Sequence, residues 1–254
     1  MAQKVTIIGF GEAGQSFAAA SGWAAEARAF DLCDKTSVYA KIGVTGCSSI
    51  AGAVADAECI LSLVTADQAL AAAQTSAKAI APGALFFDMN SVAPETKRAA
   101  AALIEAAGGR YVDVAIMAPV DPAKLAVPLL LAGVHAEAGA AMLKSLGFTN
   151  VRALGGEIGR ASAIKMIRSV MVKGAEALTA EMMLAADKAG VTDEVLASLG
   201  GDWIEKAAYN LERMTTHGAR RAAEMEEAAK TLLALGIEPL MTSGTIVRQR
   251  EMAQ

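Results

Sequence analysis

Apolar and polar positions along the chain follow two different patterns, and the change between them comes near residue 155. Before it, short apolar runs of strand length alternate with alanine-rich stretches of helical length. The strand-like runs are residues 4–9, 27–31, 59–65, 84–90 and 111–117. Helix-like stretches follow the first run as far as residue 22 and then cover residues 67–80, 94–108 and 136–147. This alternation is typical of βαβ units, so we predict an α/β domain with a largely parallel sheet.

The rest of the chain shows only helical patterns. A helix is predicted from about residue 160 to 190, because apolar residues recur there every three or four positions. They are Ile164, Ile167, Met171, Ala175, Leu178, Met182 and Ala185. The predicted organisation is a sheet domain over residues 1–155 and an all-α domain over residues 156–254. At 1.5 Å per residue the helix would extend about 45 Å, more than one small domain covers. We therefore expect a homodimer with interleaved helical domains.

Composition and charge exclude several classes of protein. The formal net charge of −4 gives no basic surface for nucleic acid. No apolar run reaches the roughly 18 residues of a membrane-spanning helix. The three cysteines lack CxxC or zinc-type spacing and the chain has two histidines, so we expect reduced thiols, a cytoplasmic location and no metal site. The first predicted strand begins at Lys4, so we expect no signal peptide.

The sequence GFGEAG lies where the first strand passes into the first helix. Its glycines, Gly9, Gly11 and Gly14, have the GxGxxG spacing that binds dinucleotides in this context. The first glycine permits a tight turn, the second lets the backbone approach a pyrophosphate, and the third lets helix and strand pack closely. The helix N-terminus offers N–H groups to the phosphates. The candidate cofactor-binding residues are therefore Gly9, Phe10, Gly11, Glu12, Ala13 and Gly14.

Asp31 ends the second strand, seventeen positions after Gly14. A carboxylate here accepts hydrogen bonds from a ribose 2′-hydroxyl and repels a 2′-phosphate, which favours NAD over NADP. Two alternatives stay open. Asp31 could only cap a loop, and the nearby Lys35 could meet a 2′-phosphate.

Four further segments, in order, resemble those of the β-hydroxyacid dehydrogenases, the superfamily of 3-hydroxyisobutyrate and 6-phosphogluconate dehydrogenases. LSLVTADQAL is similar to the fourth-strand segment, FFDMNSVAPET to D-x-S-T-x-x-P, YVDVAIMAPV to the substrate loop, and GEIGRASAIKMIRS to the segment that carries a lysine. The resemblance implies a Rossmann-type domain followed by a helical domain. It also implies that the cofactor lies along Val64, Thr65, Asn90 and Ser91.

The resemblance implies that Lys165 is the general acid/base. Oxidation of an alcohol needs a base for the hydroxyl proton, and the reverse reaction needs an acid. We expect burial against Ile164, Met166 and Ile167 to disfavour the charged form of the amine. The alternative is a lysine that reaches solvent along its aliphatic stem or pairs with Glu157.

The substrate loop departs from the family pattern. Met117 stands in place of a serine, and Ala118 and Pro119 in place of two glycines, so a proline without an N–H replaces an amide donor. Met117 could instead belong to the core. Arg168 and Ser169 stand where the family has polar residues, and Arg168 could bind a substrate carboxylate or be solvated. Candidate replacements for the missing carboxylate contacts are Arg160, Arg168, Arg220 and Arg221.

The C-terminal stretch resembles a short domain of unknown function attached to some phosphogluconate-dehydrogenase-like proteins. His217, Arg220, Arg221 and Glu224 share one face of a predicted helix, because they are spaced i, i+3, i+4 and i+7. This face either lines the active site or is a solvated surface. We include His217 and Arg221 among the candidate substrate-binding residues.

These observations together predict an NAD(P)-dependent oxidoreductase acting on a small hydroxy acid or a related alcohol or carbonyl compound. Two alternatives remain. Imine reductases share the architecture but commonly lack the lysine. A dinucleotide-binding protein that has lost catalysis would also carry the glycine turn.

Overall fold

The computed structural model describes residues 4–253, and the strands in this range form one sheet of eight. The strands are β1 (Val5–Ile8), β2 (Arg28–Phe30), β3 (Thr45–Gly46), β4 (Cys59–Ser62), β5 (Leu85–Asp88), β6 (Arg110–Ile116), β7 (Leu129–Ala132) and β8 (Val151–Ala153). Their order across the sheet is β3-β2-β1-β4-β5-β6-β7-β8. The first six run parallel; β7 runs antiparallel to β6, and β8 runs parallel to β7. The order reverses beside β1, so the two halves of the sheet diverge between β1 and β4.

Helices connect the strands of the sheet and continue beyond it. They are α1 (Glu12–Ala20), α2 (Thr36–Ile42), α3 (Ile50–Val54), α4 (Ala69–Ala77), α5 (Pro94–Ala106), α6 (Ala136–Ser145), α7 (Arg160–Ala189), α8 (Thr192–Leu199), α9 (Trp203–Ala234) and α10 (Leu240–Met252). The sheet is apolar on both faces: Ile7 and Leu61 belong to one core, whereas Ile8 and Ile60 belong to another. Burial on both faces explains why these strands read as continuous apolar runs.

The predicted fold class is confirmed: a Rossmann-type, mostly parallel sheet is followed by helices alone. Helix α7 also has nearly the predicted bounds. Strands β3, β7 and β8 and helices α2 and α3 were not predicted. These elements have between two and seven residues, and pairing with neighbouring strands decides such short segments more than any local pattern does.

The chain divides into two compact units, one reaching Lys165 and the other beginning at Met166. The second unit holds most of α7 together with α8, α9 and α10. Its apolar contacts centre on Met166 and Met225, and on Ala180 and Met214. A Cβ at Gly218 would collide with the carbonyl oxygen of Gln249, so this glycine permits the close approach of α9 and α10.

The apolar stripe predicted along α7 lies mostly on the surface of the chain. Met171 is 75% exposed and Leu178 is 59% exposed. The buried stripe is a neighbouring one that includes Lys173, Glu176 and Ala180. Because this stripe contains polar residues, the pattern of hydrophobic positions did not predict that it is buried. None of the helices described here combines the length and the low charge needed to cross a membrane.

Candidate functional site

The glycine turn joins β1 to α1 and has a distinct steric requirement at each glycine. Gly9 has φ +88°, and a Cβ there would lie 2.5 Å from the carbonyl oxygen of Leu63. A Cβ at Gly14 would lie 2.6 Å from the carbonyl oxygen of Gly9 and 3.2 Å from Cγ2 of Ile7. By contrast, a Cβ at Gly11 would meet nothing within 4 Å. The first and third glycines are therefore required by the fold, whereas the second leaves space beside the backbone.

This space suits a dinucleotide. Gly11 is the N-cap of α1 and supplies no side-chain cap to the helix N-terminus. That terminus carries the positive end of the helix dipole, which favours phosphate. The turn also lies at the carboxyl end of β1, beside the point where strand order reverses, and open α/β sheets bind ligands at such a point. The residues present thus fit a pyrophosphate group.

Asp31 connects the end of β2 to the glycine turn. Its Oδ2 accepts a hydrogen bond from the Phe10 N–H at 2.6 Å, and its Oδ1 accepts one from the Cys33 N–H at 2.8 Å. The carboxylate therefore caps this loop, as one interpretation of the sequence expected. Each oxygen keeps a further lone pair that a ribose hydroxyl can use. Tyr39 packs on Phe10 with ring centroids 5.0 Å apart, and burial, followed by the charge of Asp31, raises the pKa of Tyr39 to about 12.

Asn90 is buried in the loop after β5 and binds both the end of β5 and the loop after β4. Its Oδ1 accepts the Val64 N–H at 2.7 Å, and its Nδ2 donates to Ser62 Oγ at 3.0 Å and to Asp88 Oδ1 at 2.8 Å. The side chain therefore holds the loop after β4 against the loop after β5. Thr65, at the exposed end of the first of these loops, lies on the surface.

Lys165 and Ser91 come together in the first unit. The Lys165 Nζ donates a hydrogen bond to Ser91 Oγ at 2.6 Å, and both residues are half-buried. The expected burial of Lys165 against two isoleucines is wrong, since Ile164 is 38% and Ile167 is 50% exposed. A polar contact with the loop after β5 holds the amine instead.

The start of α7 is bound to the end of the sheet. Oδ2 of Asp113, on β6, accepts the N–H groups of Gly159, Ala161 and Ser162 at 3.0, 3.1 and 3.2 Å. The Ser162 hydroxyl also donates to the Val92 carbonyl. A carboxylate that accepts N–H bonds at a helix N-terminus stabilises the first turn. Lys165 begins the next turn, so these contacts determine where its amine lies.

A buried lysine that the sequence reading missed lies behind this arrangement. Lys97, on α5, is fully buried and contacts both Asp88 and Asp113. Its position on the helix could have indicated burial, because the buried residues of α5 are Pro94, Lys97, Ala100, Ala101 and Ile104, and Lys97 is the one charged residue among them. Burial raises the pKa of Asp113, while Lys97 opposes that shift. Burial and then the charge of Asp88 raise the pKa of Tyr111, whose hydroxyl donates to Asp88.

The loop after β6 carries the predicted substrate contacts. Met117 packs against the small core around Ala115 and its N–H donates to the Pro128 carbonyl at 2.9 Å, which agrees with the core interpretation of this residue. Ala118 and Pro119 are exposed. Pro119 has no backbone N–H to donate to a substrate.

Four predicted substrate-binding residues, Arg168, Ser169, His217 and Arg221, belong to the second unit. Arg168 is exposed, His217 is half-buried on α9, and Ser169 Oγ accepts a hydrogen bond from Lys173 at 3.3 Å. Arg221 does not lie on a solvated face: it is buried and forms a two-pronged ion pair with Glu176. The helical spacing placed it with polar neighbours, but its guanidinium packs inward because a carboxylate is available there.

No group of three histidine, cysteine, aspartate or glutamate side chains within residues 4–253 could hold a metal ion. The three cysteines are free thiols.

A doubly wound parallel sheet, a GxGxxG turn with space at its second glycine and a carboxylate at the end of β2 define a dinucleotide-binding protein. The comparison with protein families agrees. Residues 4–149, more than half of the chain, match the NAD binding domain of 6-phosphogluconate dehydrogenase, and the chain belongs to this family. Residues 186–252 match a domain of unknown function, DUF1932.

Two solved structures share substantial sequence with the chain. A conserved hypothetical protein from Sinorhizobium meliloti is 39% identical, with 98% of this chain and 88% of that chain covered and a TM-score of 0.75. The conserved protein MTH1747, of unknown function and described as structurally similar to 3-hydroxyacid dehydrogenases, is 32% identical, with 98% and 96% covered and a TM-score of 0.72.

Two enzymes of lower identity share the fold. The 3-hydroxyisobutyrate dehydrogenase of Mycobacterium tuberculosis, solved with L-serine, has a TM-score of 0.76 at 19% identity, over 99% of this chain and 94% of that one. The reductive aminase of Aspergillus terreus, solved with NADPH and ethyl levulinate, has a TM-score of 0.63 at 18% identity, over 98% and 93%. The chain thus has a 3-hydroxyacid dehydrogenase-like, NAD(P)-binding fold.

Proposed function

We propose that the protein is an NAD(P)-dependent oxidoreductase that interconverts an alcohol and a carbonyl compound, with Lys165 as the general acid/base. The observation that carries this proposal is the Lys165–Ser91 hydrogen bond, 2.6 Å long, because it holds an amine beside the loop after β5. In a Rossmann-type sheet the carboxyl ends of neighbouring strands meet at one edge. The glycine turn after β1 and Ser91 after β5 therefore belong to the same edge.

The chemistry assigned to Lys165 is a proton transfer. Oxidation of an alcohol removes a proton from the hydroxyl group and a hydride from the carbon that bears it. A bound nicotinamide dinucleotide supplies the hydride acceptor in this direction and the donor in the reverse. The neutral Lys165 amine takes the hydroxyl proton on its Nζ lone pair, and the resulting ammonium returns a proton to the carbonyl oxygen in reduction.

Ser91 orients this amine. Because one N–H of Lys165 is directed at Ser91 Oγ, the lone pair of the neutral amine points away from the serine. Holding a base in one orientation reduces the entropy lost when substrate and base meet in reacting geometry. We expect Ser91→Ala to lower kcat less than removal of the amine does.

The proposed cofactor preference is for NAD. The Asp31 carboxylate is held by the Phe10 and Cys33 amides at the end of β2, where it would repel a 2′-phosphate. The proposed substrate is a small hydroxy acid or a related alcohol, in keeping with the dehydrogenase-like fold. The apolar loop at Met117–Pro119 supports a substrate held by fewer backbone amides than a glycine-rich loop would supply. A cytoplasmic location stays a prediction.

A homodimer is also proposed. The exposed apolar stripe of α7 supports it, because Ile167, Met171 and Leu178 are at least half exposed on a single chain. Burying apolar area of this kind is the main driving force for association. Sedimentation of the purified protein would test it, and a monomer at all concentrations would contradict it.

The test of the enzymatic proposal uses three proteins: the wild type, Lys165→Met and Lys188→Met. Lys188 is an exposed lysine on the same helix and serves as the matched control. NAD- and NADP-dependent oxidation is measured on hydroxy acids, sugar acids and simple alcohols, and NADH binding is measured separately. Loss of a general base lowers kcat by about 10²–10⁴-fold, so we expect that loss in Lys165→Met, with NADH binding retained and the control unchanged.

Three outcomes would count against the proposal. Equal turnover by Lys165→Met and the wild type would exclude the lysine as the base. Reduction of imines without oxidation of any alcohol would favour the reductive-aminase activity of a protein with the same fold. NADH binding without turnover of any compound would favour a non-catalytic dinucleotide-binding protein.

A further inference from the structure

We propose that Lys97 is a positioning residue, which fixes the loop that carries Ser91 and the helix start that carries Lys165 relative to each other. This inference rests on the proposed function, since it concerns the same pair of residues. It assigns a role to a side chain of α5 that lies outside the glycine turn.

The position of Lys97 is unusual for a lysine. Its side chain has no exposed surface, and its Nζ donates to the carbonyl oxygen of Asp88 at 2.5 Å and to Asp88 Oδ1 at 2.8 Å. The same Nζ lies 3.4 Å from the Val114 carbonyl oxygen and 3.6 Å from Asp113 Oδ1. A buried ammonium is costly unless carboxylates and carbonyls surround it, and here they come from two adjacent strands. One cation therefore joins the carboxyl-terminal halves of β5 and β6.

The first branch of this network leads to the loops after β4 and β5, which carry candidate cofactor-binding residues. Asp88 Oδ1 accepts the Asn90 N–H at 3.0 Å and Asn90 Nδ2 at 2.8 Å. Asn90 in turn holds the Val64 N–H. Ser91 is the next residue along the chain. Lys97 and the Tyr111 hydroxyl together hold the Asp88 carboxylate, and through Asn90 that carboxylate fixes the loops after β4 and β5 relative to each other.

The second branch leads to Lys165. Asp113 uses Oδ2 for three N–H groups at the start of α7, whereas its Oδ1 has no hydrogen-bond donor and is only in ion-pair range of Lys97. Without Lys97, the two buried carboxylates would keep only uncharged hydrogen-bond donors, Asn90 and Tyr111 on Asp88 and the α7 amides on Asp113, and would lose the cation that they share. Like charges at close range repel, so we expect the two strand ends and the helix start to separate or rearrange.

A purely structural role predicts a different result from a positioning role. If Lys97 only stabilised the fold, its removal would weaken the first unit as any core change does. If Lys97 positions the two segments, its removal alters those segments in molecules that remain folded. Ile104 is a matched reference, because it is fully buried on the same helix α5 and lies outside the network.

The experiment compares Lys97→Met with Ile104→Ala by amide hydrogen exchange and by steady-state kinetics. For Lys97→Met we expect at least tenfold faster exchange at residues 159–162 and 64–65, with kcat at least tenfold lower and NADH binding within a few fold of wild type. For Ile104→Ala we expect faster exchange across the whole first unit, in proportion to its lost stability, and an unchanged kcat in the folded protein. Should Lys97→Met not fold, the double variant Lys97→Met/Asp113→Asn removes one buried negative charge, and it is compared with Asp113→Asn alone, because Asp113 itself holds residues 159–162.

The outcomes separate this inference from the proposed function. Locally faster exchange with a lowered kcat supports both. Locally faster exchange in a protein whose wild type turns over no substrate supports the positioning role and rejects the enzymatic proposal. Exchange that rises uniformly, or a folded Lys97 variant with wild-type kcat, overturns the positioning role.

Discussion

Replacing Gly11 by alanine should separate cofactor binding from folding. The backbone at Gly11 has φ −76° and ψ −160°, values that alanine adopts, and the added Cβ would meet no atom within 4 Å. At Gly14 the added Cβ would lie 2.6 Å from a carbonyl oxygen. The added methyl group therefore enters open space at Gly11, whereas at Gly14 it clashes with the backbone of the turn.

The expected magnitudes follow from these contacts. At Gly11, alanine reduces the conformational entropy of the unfolded chain, which stabilises the folded protein by about 0.4–1 kcal/mol. Alanine is also a poorer N-cap than glycine, which costs a similar amount. The net change in unfolding free energy should stay within about 1 kcal/mol. At Gly14, overpacking costs about 1–3 kcal/mol. With about 2–4 °C per kcal/mol for chains of this length, Tm should change by at most about 4 °C in Gly11→Ala and fall by about 2–12 °C in Gly14→Ala.

Binding should show the opposite order. The methyl group of Gly11→Ala occupies the space through which a pyrophosphate approaches the backbone, so we expect NADH to bind at least about tenfold more weakly, or about 1.4 kcal/mol. Thermal melts without cofactor and fluorescence titration with NADH measure the two effects separately. Wild-type affinity in Gly11→Ala would refute the assignment of this space to the cofactor. A loss of stability as large as that of Gly14→Ala would refute the steric reasoning.

Three further predictions concern buried groups. Arg221→Met should lower the unfolding free energy by about 3–5 kcal/mol in urea denaturation, because it leaves Glu176 charged and buried without its cation. Tyr39→Phe should lose less stability at high pH than the wild type does. The pKa of Tyr39 is raised to about 12 in the folded state, so the folded protein keeps this proton after the unfolded chain has lost it. The wild type therefore loses stability between about pH 10 and pH 12, and the phenylalanine variant should not show this loss. A disulfide reagent should modify the exposed Cys33 in the native protein and reach the buried Cys59, whose thiol pKa is raised by burial, only after unfolding.

Each of these predictions can be contradicted by a specific result. The control is Arg250→Met, because Arg250 pairs with Glu226 on the surface. This variant should lower the unfolding free energy by at most about 1 kcal/mol. An equal decrease in both variants would contradict the prediction for Arg221. Identical high-pH unfolding curves for the wild type and Tyr39→Phe would argue against proton retention by that tyrosine. Rapid modification of Cys59 in the native state would show that β4 opens locally.

Local sequence determined the features that depend on backbone geometry and periodicity. Gly9 and Gly14 could be predicted because their positions leave no room for a Cβ, a requirement that only glycine meets. The strands β1, β4 and β5 could be predicted because a parallel sheet covered on both faces needs unbroken apolar runs. Asp31 was predicted from its spacing after the glycine turn, whereas Lys165 was predicted from the resemblance of its segment to the lysine segment of the family.

Tertiary structure decided the features that depend on partners far away in the chain. A lysine is expected on the surface, and Lys97 is buried because two neighbouring strands place Asp88 and Asp113 beside its amine. Arg221 likewise reads as part of a polar face until Glu176 pairs with it across two helices. Burial of a charge depends on whether an opposite charge is available there. Helical periodicity puts Lys97 on the apolar face of α5, but it does not show that two carboxylates lie beside that face. The sequence by itself therefore determined five of the strands, β1, β2, β4, β5 and β6, and the glycine turn. The folded chain decided which charged residues are buried and which apolar stripe of α7 stays exposed.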